Sequence, residues 1–336
     1  MKIAIDAMGG DHAPAAVVAG VIKARDQFPD LEFLLFGQIE RIQPLIKDST
    51  RIKILPATEV IGMNDEPVQA VRRKRNSSLV LAAKAVKEGQ AEALFSCGNT
   101  GALLAAGLLI VGRIKGITRP GLLSTLPMIS QQSGAFNLLD SGANAESKPE
   151  HLYQYALLGK YYAQKVRGVA NPRIGLLNNG TEPHKGSKVT QEAYQLLKAD
   201  PEINFVGNVE ANAVLKNVAD VIVADGFLGN TLLKSIEGTA SAIMHLLKES
   251  IMAGGFSGKA GALLLKPIFK ELKSKMNQAK YGGAVLLGVK APVVKAHGAS
   301  DAETVYYTLA QIEQMLKEKM IPDFVEYFSK TAIKKD

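Results

Sequence analysis

The first 27 residues, MKIAIDAMGGDHAPAAVVAGVIKARDQ (1–27), carry the pattern that recurs along the whole chain. Lys2–Ile5 is a short apolar run that reads as a buried strand. A polar, glycine-bearing loop follows, Asp6 to His12, and then Ala15–Gln27 shows helical spacing. Strand, glycine loop and helix make the unit of a largely parallel α/β sheet. In open sheets of that kind the ligand lies beyond the carboxyl ends of the strands.

Working outward, the same rhythm predicts strands at Glu32–Phe36, Arg51–Leu55, Ala93–Ser96, Leu122–Thr125, Phe136–Asp140 and Arg173–Asn178. Further strands are expected at Asn204–Gly207, Val221–Ala224, Ala284–Leu287 and Pro292–Lys295. Helices are expected at Ser77–Glu88, Thr100–Gly112, Glu150–Val166, Thr190–Lys198, Asn230–Lys248 and Asp301–Lys319. The rhythm stops between about residues 251 and 280. There Gly254, Gly255, Gly258 and Gly261 precede an amphipathic stretch with Leu265, Ile268, Phe269, Leu272 and Met276 on one side. Lys266, Lys270 and Lys273 lie on the other. The expectation is one α/β domain over 1–336 with a helical hairpin inserted at about 251–280.

Bulk properties narrow the class. Of 336 residues, 47% are hydrophobic and 21% charged, which suits a globular chain. The formal net charge is +8, so acidic partners are favoured. A nucleic-acid binder is not expected, because Trp is absent and the lysines are not interleaved with aromatics. Cys97 is the only cysteine, which excludes an intramolecular disulfide. No leader pattern and no membrane-spanning run is visible, and a cytoplasmic protein is expected.

Polar glycine-rich loops follow strand after strand. They include Asp6–Gly9–Gly10–Asp11–His12, Ser96–Thr100–Gly101, Asp140–Asn144, Asn178–Glu182, Asp225–Asn230, Tyr281–Ala284 and His297–Ser300. Two of them open helices, at Asn99-Thr100-Gly101 and at Lys185-Gly186-Ser187-Lys188, where backbone N–H groups suit a phosphate. The bland reading is that Asn99 and Ser187 simply cap those helices. No P-loop and no dinucleotide fingerprint explains the loops. No metal site is expected, since the histidines are scattered and one cysteine builds no thiolate cluster.

Taken in order, Asp-Ala-Met-Gly-Gly-Asp (6–11), Gly-Asn-Thr-Gly-Ala (98–102), Asp-x-Gly-Ala-Asn (140–144) and Asn-Asn-Gly-Thr-Glu (178–182) form a recognisable series. Lys-Gly (185–186), Asp-Gly-Phe-x-Gly-Asn (225–230), Tyr-Gly-Gly-Ala (281–284) and His-Gly-x-Ser (297–300) complete it. The series resembles the phosphate acyltransferases of bacterial phospholipid synthesis, to about residue 310. The resemblance implies a three-layer α/β/α fold, phosphate acetyltransferase-like and isopropylmalate dehydrogenase-like. It implies transfer of an acyl group from acyl carrier protein to inorganic phosphate, without a cofactor. It also implies a homodimer and a product that feeds a membrane glycerol-3-phosphate acyltransferase. Cys97 stands where the family pattern more often has Ala, which argues against an acyl-cysteine intermediate.

Phosphate is already a nucleophile at neutral pH, so the reaction needs positioning and oxyanion stabilisation above all. In this reading Lys185, with the backbone of Gly186 and Ser187, holds phosphate. Asn99, Thr100 and Gly101 form the facing wall, and Asn230 donates to the thioester oxygen or to phosphate; the bland reading of Asn230 is a cap for the helix after it. Asp6, Gly9, Gly10, Asp11, Asn144, Asn179 and His297 line or brace the site. Arg72 to Arg75 dock the acidic carrier protein or form a solvated helix face. The hairpin, through Leu265, Ile268, Phe269 and Leu272, either packs in a dimer interface or rests reversibly on the inner face of the membrane; the membrane reading is preferred. The alternative function is a short-chain phosphate acetyltransferase that uses coenzyme A. A related dehydrogenase and a non-catalytic membrane adaptor are the other rivals.

Overall fold

A computed structural model describes residues 1–129, 134–269 and 278–333. Eleven strands join one sheet: β1 (Lys2–Asp6), β2 (Glu32–Gly37), β3 (Ile52–Pro56), β4 (Ala93–Ser96), β5 (Gly121–Met128), β6 (Gly134–Leu139), β7 (Ile174–Asn178), β8 (Phe205–Glu210), β9 (Val221–Val223), β10 (Ala284–Leu287) and β11 (Val293–Lys295). Each falls on a run read as a strand from the sequence. The spatial order is β3-β2-β1-β4-β11-β10-β5-β6-β9-β7-β8.

The helices are α1 (Ala15–Gln27), α2 (Ile39–Ile42), α3 (Pro67–Arg73), α4 (Ser78–Lys87), α5 (Thr100–Ala106), α6 (Pro149–Lys165), α7 (Lys188–Ala199), α8 (Gly226–Ala253), α9 (Gly255–Leu264), α10 (Ala302–Lys317) and α11 (Met320–Ile333). A π-helical turn, Gly107–Val111, continues α5. Helices cover both faces of the sheet. One buried layer joins Val17, Val18 and Val21 of α1, Tyr155 and Tyr162 of α6 and Leu309 and Ile312 of α10 to Ile3, Ile5, Phe33 and Leu123. A second puts Leu79, Val80 and Ala83 of α4 and Ala102, Leu103 and Ala106 of α5 against Ala4, Leu94 and Val293. Alternate strand residues feed opposite layers, as the pleat requires.

The sheet is largely parallel, as expected, with seven parallel pairings and three antiparallel ones that interrupt them. β3, β2, β1, β4 and β11 run together, and so do β6, β9, β7 and β8. Between them β10 is antiparallel to β11 and to β5, and β5 is antiparallel to β6. The two parallel blocks therefore run in opposite senses. The glycine-rich loops form two groups that approach the middle of the sheet from opposite ends, not one row along one edge.

The hairpin also differs. α8 runs to Ala253, five residues past the expected end at Lys248. Only Gly226, Gly229 and Leu232 of its 28 residues are buried, so most of α8 stands away from the core. Gly254 and Gly255 turn the chain, Gly255 with φ +60°, and α9 folds back on α8. Leu263, Leu264 and Ile268 are 70%, 81% and 60% exposed, and Leu265 is exposed as well. Phe269 instead joins Met244, Leu247, Ile251, Met252 and Ala262 around a mostly apolar groove between the two arms, with His245 and Lys248 also in its lining. Leu272, Met276, Lys270 and Lys273 lie outside the described residues.

Candidate active site

A polar row crosses the carboxyl ends of three strands. Asp6 pairs in register with Ser96, and Ser96 with Lys295. All three are buried, at 3%, 0% and 7% exposure. The Asp6 carboxylate accepts from the Ser78 hydroxyl at 2.5 Å and the Ser96 hydroxyl at 2.6 Å. Burial pushes its pKa up, and these two hydroxyl donors act the other way. The Lys295 ammonium donates to the carbonyl of Cys97 at 3.2 Å and to that of Ala296. Burial lowers its pKa to about 8.

A second hub lies on the other side of the seam. The Asp140 carboxylate accepts the amides of Leu122, Gly142, Ala143 and Asn144, plus the Asn144 side-chain amide, at 2.8–3.0 Å. Asn144 ties the loop further, donating to Pro120 at 2.7 Å and to the Tyr155 hydroxyl at 3.0 Å. The start of α8 packs directly on this loop. A Cβ on Gly229 would run into the Asp140 carbonyl oxygen, so only glycine fits there. Asp225 caps α8 through the Leu228 amide at 2.8 Å. Asn230 is therefore not the cap. It stands one turn into the helix, exposed and beside Gly142.

Between the two hubs opens a cavity of about 380 Å³. Thr100, Ser124, Ser141, Asn230, Lys295 and His297 contribute its polar lining, with Lys234 and Glu237 of α8 paired at 2.7 Å on the same wall. Ser124 lies on β5, the strand at which the sense reverses.

Of the residues expected from sequence, Thr100, Asn230 and His297 meet in this cavity. Others support it. Gly9 lies where a Cβ would strike Asp6, Ser96 and Gly98, and Gly10 packs on Cys97 with φ +105°. The Asp11 amide donates to Gly298 at 2.8 Å and joins two loops. Asn144 braces the Asp140 loop and is not part of the lining. Asn99 is a correction: its oxygen caps Ala102 at 3.0 Å, and its amide donates to Met63 and Asp65, both at 3.0 Å. Gly101 lets Pro67 of α3 pack against α5 and is not among the residues lining the cavity.

Lys185, Gly186, Ser187 and Asn179 lie outside the cavity lining, on the β7–α7 loop. β7 is separated from β6 by β9, so this loop leaves the same end of the sheet as the Asp140 and Asp225 loops. Ser187 caps α7 through Thr190. Asn178 donates to the Lys185 carbonyl at 3.1 Å and accepts the Asn179 amide. Sequence reading missed Ser124, Ser141, Lys234 and Lys295. The visible signal for Lys295 was a lysine ending an apolar strand just before the His297–Ser300 loop. The Cys97 thiol is buried and its pKa is pushed up to about 12 by burial, which keeps it protonated and a poor nucleophile. Among the described residues no three of His, Cys, Asp and Glu come together as a metal-ligand set.

Against this geometry the comparisons are decisive. The family model described as "Fatty acid synthesis protein" matches residues 1–322. A phosphate acyltransferase of Ligilactobacillus salivarius is 68% identical over 98% of this chain and 99% of its own. The chain belongs to the phosphate acyltransferases. Solved structures place that family in a wider fold. A phosphotransacetylase of Streptococcus pyogenes superposes with a TM-score of 0.62 over 96% of this chain and 94% of its own, at 17% identity. An isocitrate dehydrogenase of Methylococcus capsulatus gives 0.50 over 97% and 87%, at 11% identity. Both likenesses concern fold alone. They agree with the architecture that the loop series implied.

Proposed function

We propose that this chain transfers a long acyl group from the thioester of acyl carrier protein to inorganic phosphate, releasing acyl-phosphate and the carrier thiol. One observation carries the reading: a cavity at the seam of the sheet presents hydroxyl, amide and ammonium groups together, and no thiolate. A phosphate oxygen attacks the thioester carbonyl carbon. The C–O bond forms, the carbonyl becomes an oxyanion, and collapse expels the thiolate, which takes a proton from solvent. The Asn230 amide, free of other partners among the described residues, donates to that oxyanion. Lys185, on the adjoining loop, contributes to holding phosphate.

A long acyl group suits the surface beside the cavity. Leu233, Glu237, Ala240, Met244, Leu247 and Ile251 repeat every three or four residues and share one face of α8. The first two line the cavity and the last three line the apolar groove. An acetyl group needs no such track, which disfavours a short-chain enzyme using coenzyme A. The basic surface suits an acidic carrier protein. The exposed leucines of the hairpin suit reversible contact with a membrane, where a glycerol-3-phosphate acyltransferase would take the product, and a second copy of the chain would form a homodimer.

Steady-state kinetics of Asn230→Ala and Lys185→Ala test the roles. Asn230→Ala is expected to lower kcat by about 10²–10³ with an unchanged Tm, the usual loss of one oxyanion donor. Lys185→Ala is expected to abolish turnover without unfolding. Normal turnover in either variant removes that residue from the reaction.

A further inference from the structure

We propose that Lys295 is the anion-binding residue of the cavity and that one of its N–H groups holds the attacking phosphate. The inference rests on the functional reading above and adds a residue to it. An ammonium has three donors and no acceptor. Two are satisfied by the Cys97 and Ala296 carbonyls, which are neutral. Among the described residues Lys295 makes no ion pair within 4.0 Å. Asp6, whose charge acts on the ammonium, is already held by Ser78 and Ser96. Asp6 and Asp11 favour the charged lysine from beyond contact distance, but burial outweighs them, and a buried cation with no carboxylate in contact is costly, by several kcal/mol. The fold nevertheless keeps one, with its side chain lining the cavity beside Ser124, Thr100 and Asn230. A phosphate dianion supplies the missing anionic contact.

The serines complete the fit. The Ser141 hydroxyl donates to the Leu122 carbonyl at 2.9 Å, so its single proton is committed. Ser124, 2.8 Å away, must then donate to Ser141. Ser124 is left with lone pairs, which accept the remaining P–OH of a hydrogen phosphate. The cavity thus offers one cationic donor and one acceptor, the pattern of that ion.

Phosphate titration calorimetry on the full chain, without acyl donor, tests the site at pH 7. Lys295→Met is expected to weaken phosphate binding by about 10–100-fold, the loss of one charge-assisted hydrogen bond. In turnover the phosphate KM should rise while the acyl-donor KM stays within about twofold. The Tm should hold or rise, because an apolar chain of similar volume relieves a buried unpaired charge. Lys295→Arg should retain part of the binding. The pH dependence gives a second readout. Asp6, Asp11, the Cys97 thiol and Lys234 face the ammonium. As pH passes about 8 the wild-type lysine loses its proton and phosphate affinity should fall. The Arg variant, which stays charged, should lose that limb. Unchanged phosphate affinity in Lys295→Met overturns the proposal. So does a fall in Tm with both KM values unmoved, which would make Lys295 a brace between two loops. Phosphate binding that depends on Lys295 in a protein that turns over no thioester would keep the anion site and defeat the acyl-transfer reading instead.

Discussion

The hydroxyls of Ser124 and Ser141 meet at 2.8 Å and join β5 to the loop that follows β6. That contact spans the place where the sheet changes sense, and it is held in position by Asp140, whose two oxygens take five donors. Burial raises the Asp140 pKa, and those donors act the other way. In Asp140→Asn one end of the side chain becomes a donor and faces N–H groups. The expected cost is about 2–4 kcal/mol, from at least one buried amide left without an acceptor. Urea unfolding measures it, and an unchanged midpoint would show that the loop does not depend on this hub.

The hairpin exposes apolar side chains that a core would cover. Leu264 and Ile268 point outward, whereas Phe269 turns to the groove. Changing Leu264 and Ile268 together to Asp should abolish flotation with anionic vesicles, since burial of two such side chains is worth about 3–6 kcal/mol. Turnover of a soluble donor should persist. Undiminished flotation would remove these two side chains from membrane contact.

The basic cluster is smaller in space than in sequence. Lys74 pairs with Asp65 at 2.5 Å and also donates to Val60. Arg72, Arg73 and Arg75 remain exposed, without an ion pair among the described residues. Reversing these three to Glu should raise the KM for the carrier-protein thioester by about tenfold at low salt, with kcat nearly unchanged. The difference should shrink as salt screens the charges. An unmoved KM would leave the cluster as a solvated helix end.

Much of the fold was legible because its strands are short apolar runs bounded by glycine loops. All eleven strands can be found that way, Lys2–Ile5 and Val221–Ala224 among them. Their direction cannot, since a two-residue period is the same read up or down. Hence the reversal at β10, β5 and β6, which makes the seam, was invisible. The short α2 and α3 were missed because one or two turns carry too little periodicity; α11 was not expected either, whereas α9 falls within the hairpin expected at about 251–280. At the site, Asn230 and His297 stood out as polar residues in glycine loops. Ser124, Ser141 and Lys295 did not, because each lies within or just beyond a strand and gains its meaning from a neighbour distant in sequence. Asn99 misled for the converse reason: a polar residue before a helix is both a good ligand and a good cap, and here it is the cap.

The central claim is phosphate-dependent cleavage of a long-chain thioester. The direct measurement is loss of palmitoyl-carrier-protein thioester with and without phosphate, beside acetyl-coenzyme A, in metal-free buffer. Formation of palmitoyl-phosphate from the carrier-protein substrate, only when phosphate is present, is the expected result. Turnover of acetyl-coenzyme A alone, or of neither donor, would contradict it.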